Sequence, residues 1–205
     1  MTMTLYFSPT SPFARKCLVC AHELGLRDRL ELSTSTTTPV TTDPVLAGRN
    51  PLAKIPTLVT ADGAVIYDSR VICEYLNALG DGHLLPGSGA ARWTVLVNVA
   101  LADGITEAAL LARYETALRP EALRWSDWVA GQEGKIRRGL DQLEKDAEAL
   151  QGRVDVGTIA IACGLGYLDF RFPSLEWRRQ RARLAAWFEE FSRRESMSTT
   201  RPPQV

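Results

Sequence analysis

The stretch Asn-Pro-Leu-Ala-Lys-Ile-Pro-Thr-Leu-Val-Thr-Ala-Asp-Gly-Ala-Val-Ile-Tyr-Asp-Ser, residues 50–69, decides the fold of this chain. It contains two short runs rich in β-branched and apolar residues, 57–60 and 64–67, with Ala-Asp-Gly between them. Because Asp and Gly accept the positive φ of a tight turn, the pattern predicts a β-hairpin. Pro56 precedes the first strand, where its missing amide hydrogen removes no hydrogen bond from the sheet.

The peptide bond between Ile55 and Pro56 is a candidate for the cis form, which costs an X-Pro bond only about 0.5–1 kcal/mol. A cis bond would leave the backbone amide and carbonyl of Ile55 facing outward, free to pair with an extended peptide. After the hairpin, Asp68 and Ser69 open an amphipathic helix, with Ser69 predicted as its N-cap. Because a helix N-terminus attracts carboxylates, the stretch predicts a site for a small peptide carrying an amine and a carboxylate.

A strand and a helix precede this stretch. Residues 2–7 alternate between apolar and polar side chains, which predicts a strand. A helix follows from Pro12, with Ser11 as its N-cap and Gly25 at its end. A thiolate beside a helix N-terminus has a lowered pKa, and a serine hydroxyl there can donate a further hydrogen bond to it.

These features resemble the glutathione-binding half of the soluble glutathione S-transferases. In that family the proline is cis, the backbone before it pairs with the cysteinyl part of glutathione, and an acid–serine pair holds the γ-glutamyl end. The resemblance implies that Ile55, Pro56, Asp68 and Ser69 bind glutathione, although the family more often has Glu than Asp in that pair. It also suggests Lys54 for the glycyl carboxylate and assigns Phe13 to the same site.

The run Ser-Pro-Phe-Ala-Arg-Lys, residues 11–16, resembles the start of the first helix in many bacterial transferases. Ser11 is therefore the candidate catalytic hydroxyl, with Thr10 and Ser8 as alternates because alignments between classes slip here. The competing interpretation makes Ser11 a purely structural N-cap. Within the same helix, Cys17 and Cys20 form a C-x-x-C, but they lie beyond its N-terminus, so core packing is favoured over a redox or zinc site.

The order β-α-β-loop-β-β-α predicts a thioredoxin-like domain over residues 1–79, followed by a Gly- and Pro-rich linker, 80–91. Residues 92–205 are predicted to form an all-helical domain that makes the second-substrate site. Four helices are expected, over residues 92–117, 120 to about 150, 158–170 and 175–191. Trp125 and Trp128 are predicted to lie on the apolar side of the second helix. An irregular tail is expected from Arg194.

The third of these helices departs from the family pattern. Transferases usually begin it with Ser/Thr-x-x-Asp, a capping box, whereas this chain has Thr158 and, three residues later, Ile161. Since a lost cap costs about 0.5–2 kcal/mol, Ile161→Asp is expected to raise thermal stability.

Composition limits the partners. The chain has 24 basic and 24 acidic residues, so its zero net charge favours neither nucleic acid nor an anionic membrane. No apolar run approaches about 20 residues, and the N-terminus has no basic segment of a signal peptide. Four cysteines in apolar helical surroundings suit a reducing compartment, so a cytoplasmic location is expected.

The resemblance implies a homodimeric glutathione transferase in which the glutathione thiolate attacks a small electrophile, with glutathione as co-substrate and no metal. Candidates for the second-substrate site are Tyr6, Pro9, Arg113 and Tyr114, together with Phe13. Two alternatives stay open: a glutathione-binding or protein-interaction module of the same fold with little turnover, and a glutathione-dependent isomerase or dehalogenase. A thiol-disulfide reductase is disfavoured because Ser11 cannot form a mixed disulfide.

Overall fold

The computed structural model describes residues 2–203, which fall into two compact units. One unit runs to Val95 and resumes at Arg194, and the other comprises Leu96–Arg193. The helix α4 (Gly89–Ala117) contributes residues to both. The domain boundaries expected at residues 79 and 92 stay a prediction, since compactness does not show which segments fold independently.

The first unit is built on a four-stranded mixed sheet of β1 (Met3–Phe7), β2 (Leu30–Thr34), β3 (Thr57–Val59) and β4 (Val65–Ile66), in the strand order β2-β1-β3-β4. Strands β1 and β2 are parallel and joined through a helix, whereas β3 pairs antiparallel with both β1 and β4. This is the predicted thioredoxin-like arrangement, and an all-helical segment follows it, so the predicted fold class is confirmed. Its first three helices are α1 (Pro12–Glu23), which joins β1 to β2, α2 (Pro44–Ala47) and α3 (Ser69–Leu79).

Local signals set the ends of these elements. Ser11 is the N-cap of α1 and Pro12 its first residue, as predicted. The hairpin turn contains Gly63 at φ 88°, a backbone conformation that glycine adopts without steric cost. The expected N-cap of α3 was wrong by one residue: Asp68 caps the helix through a bond from the Arg70 amide. An aspartate carboxylate caps as well as a serine hydroxyl does, so the sequence did not distinguish the two.

The thiols of the first unit lie in its core. Cys17, Cys20 and Cys73 are fully buried and form no disulfide, and the Cys73 and Cys17 sulfur atoms are 3.9 Å apart. The C-x-x-C therefore packs inside the unit, as the sequence predicted.

Helices of the second unit follow α4: α5 (Ser126–Asp146), α6 (Val156–Arg171) and α7 (Ala182–Phe191). The single helix predicted from residue 120 to about 150 was wrong, because 3₁₀ turns at Glu121–Leu123 and Ala147–Leu150 flank a shorter α5. The last predicted helix likewise begins seven residues later than expected, at Ala182 rather than 175.

The tryptophans expected on the apolar side of that helix are also exposed, Trp125 to 60% and Trp128 to 41%. Trp125 precedes the helix in extended conformation, and its amide donates to Glu115 at 2.9 Å. The two rings stack on each other instead of entering the core.

Helix α6 starts earlier than the sequence pattern suggested and carries a complete capping box. Asp155 is the N-cap; its Oδ1 accepts the Thr158 amide at 3.0 Å, and Thr158 Oγ1 accepts the Asp155 amide at 2.9 Å. The capping acid is therefore present, three residues before Thr158 instead of three residues after it. Ile161 lies inside the helix and is 1% exposed. The expectation that Ile161→Asp would stabilise the protein is thus overturned.

The tail expected to be irregular forms a short helix, α8 (Glu195–Ser198), that belongs to the first unit. Met197 is fully buried, and its carbonyl accepts a bond from Arg15 Nη2 at 3.0 Å. Arg194 grips the Glu23 carboxylate through two bonds of 2.9 and 2.7 Å. The tail is thus ordered by contacts with α1, which local sequence signals do not reveal.

One helix among the described residues, α4, is long and apolar enough to cross a membrane by length and composition alone. The sequence prediction had placed no such run in the chain. Half of the qualifying window is buried inside the protein, as in the core helix of a soluble protein, so this is weak evidence for a membrane span.

Candidate functional site

The loop between β1 and α1 carries three hydroxyl groups in four residues. Ser8 Oγ and Thr10 Oγ1 hydrogen-bond to each other at 3.1 Å. Ser11 Oγ accepts the Ala14 amide at 3.3 Å, as an N-cap does. This bond uses a lone pair of Ser11 Oγ and leaves its hydroxyl hydrogen free to donate. Ser11 can therefore cap α1 and donate to a bound anion at the same time.

A buried asparagine shapes the segment before β3. Asn50, 1% exposed, donates from Nδ2 to the Lys54 carbonyl at 3.1 Å and to Thr57 Oγ1 at 2.9 Å. Its Oδ1 accepts the Leu52 amide at 2.9 Å. These bonds fix the backbone on both sides of Ile55. Asn50 carried no predicted role, although an Asn before Pro in a turn is a usable signal for such a brace.

The Ile55–Pro56 peptide bond is cis, as the sequence suggested. Within residues 2–203, no group hydrogen-bonds to the backbone amide or carbonyl of Ile55. Pro56 is buried, whereas the Lys54 side chain is exposed to solvent. The structure thus presents one residue of unpaired backbone at the start of β3.

The N-terminus of α3 contacts α1. Cys17 of α1 places its sulfur 3.7 Å from the carbonyl oxygen of Ser69, the first residue of α3. Ser69 is 4% exposed, while the Asp68 side chain is exposed and lies 3.8 Å from the Arg70 guanidinium. The peptide bond between Tyr67 and Asp68 is also cis.

Strand register brings two of these loops together. Tyr6 pairs with Thr57, so the loop after β1 and the segment before β3 leave the same end of neighbouring strands. The hydroxyls of Ser8, Thr10 and Ser11 and the Ile55 backbone therefore lie at the same end of the two strands. Phe13 is half-buried at the start of α1, and the Lys16 ammonium lies 5.7 Å from its ring centroid.

A pocket of about 440 Å³ opens beside this loop, within the first unit. Its lining includes Ser8, Pro9 and Ser11 and residues 199–201 of the tail. Tyr6 is half-buried in β1 and does not line it. The pocket gives a small molecule access to Ser8 and Ser11, whereas Thr10 does not line it.

Two predicted second-substrate residues, Arg113 and Tyr114, lie in the second unit on α4 and are half-buried. They neighbour Tyr167 and Arg171 of α6, and the positive charge of Arg113 acts to lower the pKa of both. Neither Tyr167 nor Arg171 carried a predicted role. No spacing rule connects residue 113 with residue 171, so only the packing of the helices reveals this group.

No cluster of three or more histidine, cysteine or acidic side chains suited to a metal ion occurs among the described residues.

Comparison with known proteins covers both halves of the chain. Residues 10–79 match the family model for the N-terminal domain of glutathione S-transferase, and residues 126–190 match the model for its C-terminal domain.

Three relatives match along nearly the whole chain. An uncharacterised GST-like protein of Escherichia coli K12, YibF, is 37% identical over 99% of this chain and 100% of its own length. A glutathione transferase family member from Pseudomonas fluorescens Pf-5, solved with bound glutathione, is 48% identical with a TM-score of 0.97, covering 99% of this chain and all of that one. A structure from the same strain with bound S-(propanoic acid)-glutathione is 46% identical with a TM-score of 0.92, covering 98% of this chain and all of that one.

Proposed function

The chain belongs to the glutathione S-transferase family, and we propose that it conjugates reduced glutathione to a small electrophile. The observation that carries this proposal is Ser11 at the N-terminus of α1, with its oxygen accepting the Ala14 amide and its hydrogen free. A hydroxyl in that position suits a thiolate, because the helix N-terminus and the hydroxyl both favour the negative charge.

In this mechanism Ser11 donates a hydrogen bond to the sulfur of bound glutathione and thereby lowers the pKa of the thiol. The thiol proton passes to solvent, and the thiolate attacks an electrophilic carbon. A carbon–sulfur bond forms while a leaving group departs with its electron pair, or while a conjugated double bond takes up a proton. The protein contributes proximity and stabilisation of the thiolate.

Glutathione would bind at this end of the strands, where the loop after β1 and the segment before β3 lie. The unpaired Ile55 backbone, braced by Asn50, suits the cysteinyl peptide groups, and Pro56 holds that backbone in place. The N-terminus of α3 with Asp68 and Ser69 suits the γ-glutamyl end. Lys54 and Phe13 complete the proposed set. Structures of relatives with bound glutathione and with a glutathione conjugate support this assignment.

The remaining expectations follow the family. Family membership fits a soluble protein, and we infer a cytoplasmic homodimer. Tyr6, Pro9, Arg113 and Tyr114 stay our candidates for contacts with the second substrate. The capping acid expected to be missing is present as Asp155, so a defective helix cap gives no support to the alternative of a binding module with little turnover.

The test combines titration with kinetics. We expect calorimetric titration with reduced glutathione to show one site per chain, weakened in Ser69→Ala. Ser11→Ala should lower turnover of an aryl halide by about 10- to 100-fold, the worth of one hydrogen bond to a charged group, with little change in glutathione affinity. Thr10→Ala is the matched control and should retain the wild-type rate. Full activity in Ser11→Ala would remove Ser11 from the mechanism, and binding without turnover would favour the interaction module.

A further inference from the structure

Helices α4 and α6 pack closely within the second unit. A Cβ atom added at Gly164 would lie 2.9 Å from Thr106 Oγ1 and 3.7 Å from the Ala102 carbonyl oxygen. Arg113 and Arg171 each lie seven residues beyond this contact, one on each helix. The charge of Arg113 lowers the pKa of Arg171, so the two side chains lie near each other. Antiparallel helices would carry these two residues away from the contact in opposite directions, so α4 and α6 run in the same direction. At about 1.5 Å per residue, both arginines stand roughly 10 Å along the helices from the contact.

Two tyrosines accompany this pair. Tyr167 is 4% exposed; burial raises its pKa to about 12 despite the opposing charges of Arg113 and Arg171. Burial also raises the pKa of Tyr114, whose ring neighbours Tyr167. Both phenols thus keep their hydrogens at physiological pH and can act as donors. The group therefore presents two guanidinium forks and two hydroxyl donors.

No carboxylate neutralises the two arginines within residues 2–203. The acidic residues nearest to them in the sequence, Glu115 and Asp169, pair with Arg119 and with Arg178 respectively. Arg171 Nε is buried and has no hydrogen-bonding partner. Burial, and next the charge of Arg113, lower the pKa of Arg171. Partly buried like charges that share no counter-ion are unfavourable, and a bound anion would offset this.

We propose that Arg113 and Arg171, with the hydroxyls of Tyr114 and Tyr167, bind the carboxylate of an anionic second substrate. Guanidinium forks match a planar carboxylate through paired hydrogen bonds. The Phe170 ring lies 3.8 Å from the Arg171 guanidinium carbon and offers an apolar surface for the rest of the molecule. The substrate class is then a small electrophile with a carboxylate and an apolar body. This inference rests on the proposed transferase function.

The experiment compares two conjugates, S-(3-carboxypropyl)glutathione and S-butylglutathione, which differ in a terminal carboxylate in place of a methyl group. Glutathione itself is the reference. Calorimetry on the wild-type protein should show the acid binding about tenfold more tightly than the butyl compound, a difference of about 1.4 kcal/mol. Arg113→Gln and Arg171→Gln should each abolish this preference and leave glutathione affinity unchanged. Arg179→Gln removes an arginine whose side chain is 80% exposed and should keep the preference.

Each outcome decides the proposal. Equal affinities of the wild-type protein for the two conjugates, or a preference that survives both glutamine variants, would overturn it while leaving the transferase function intact. Failure of the wild-type protein to bind glutathione at millimolar concentration would remove the transferase function and this inference with it. Should Arg171→Gln not fold, Arg171→Lys keeps the charge without the fork and should retain only part of the preference, whereas an unchanged preference there and in Arg113→Gln would refute the site.

Discussion

Replacing Ile161 with aspartate tests where α6 begins and which residue caps it. Ile161 is the sixth residue of α6 and is 1% exposed. The amide of Thr158, which a capping carboxylate would need, already donates to Asp155 at 3.0 Å. An aspartate at position 161 would therefore find no free amide and would place a carboxylate in the core of the second unit.

The expected cost follows from burial. Losing a buried isoleucine side chain removes about 1.5–3 kcal/mol of hydrophobic stabilisation. The smaller aspartate leaves a cavity, and its carboxyl group must be desolvated, so the total reaches about 4–5 kcal/mol. For a chain of this length, each kcal/mol lowers the melting temperature by about 2–4 °C. The melting temperature should thus fall by about 8–20 °C.

Thermal unfolding followed by circular dichroism, with Ile161→Asn as the uncharged control, measures this. Burial raises the folded-state pKa of an aspartate above its unfolded value of about 3.9. The extra cost of Asp over Asn should therefore be smallest below pH 4 and should grow as the pH rises toward the folded pKa. A melting temperature at pH 7 equal to or above that of the wild type would show that residue 161 can cap the helix and that the assignment of Asp155 is wrong.

Four further substitutions test the packing and one ion pair. Gly139→Ala should cost about 1–3 kcal/mol, because the added Cβ would lie 2.5 Å from a buried isoleucine side chain, whereas Gly131→Ala meets open space on the same helix and should gain about 0.5–1 kcal/mol. Urea denaturation of both variants checks the opposite signs. Met197→Ala should cost about 2–5 kcal/mol if the tail is part of the first unit, and little if the tail is loose. Hydrogen bonds from Arg194 lower the pKa of Glu23 below 4.5. The stability that the Glu23 carboxylate contributes is therefore present above that pH and is lost as the pH falls through the lowered pKa. The melting temperatures of the wild type and of Glu23→Gln should converge on acidification.

Most of the first unit could be predicted from sequence because its decisive signals are local. Pro12 can begin a helix, Gly63 can adopt the positive φ of the turn, and Pro56 can enter a strand without losing a hydrogen bond. Each signal acts within a few residues, so the order of elements follows directly. The same local reasoning identified Ser11, whose capping geometry is part of its proposed chemistry.

Long-range contacts account for what the sequence did not show. The bonds between Arg194 and Glu23 join positions 171 residues apart, and no periodicity reports them. Trp125 and Trp128 fit an apolar helix face by spacing, yet a 3₁₀ turn and the bond to Glu115 place them on the surface.

The candidate substrate site shows the same division more sharply. Arg113 was named from the resemblance alone, and by itself it is an ordinary half-buried arginine. The contact between α6 and α4 at Gly164 sets the register of the two helices. In that register Arg171 lies beside Arg113, and the two arginines form a pair that neither makes alone. Two arginines without a carboxylate are unfavourable in an empty site and favourable around an anion. The small residue that permits the helix contact therefore also determines, in our proposal, the charge of the molecule that glutathione attacks.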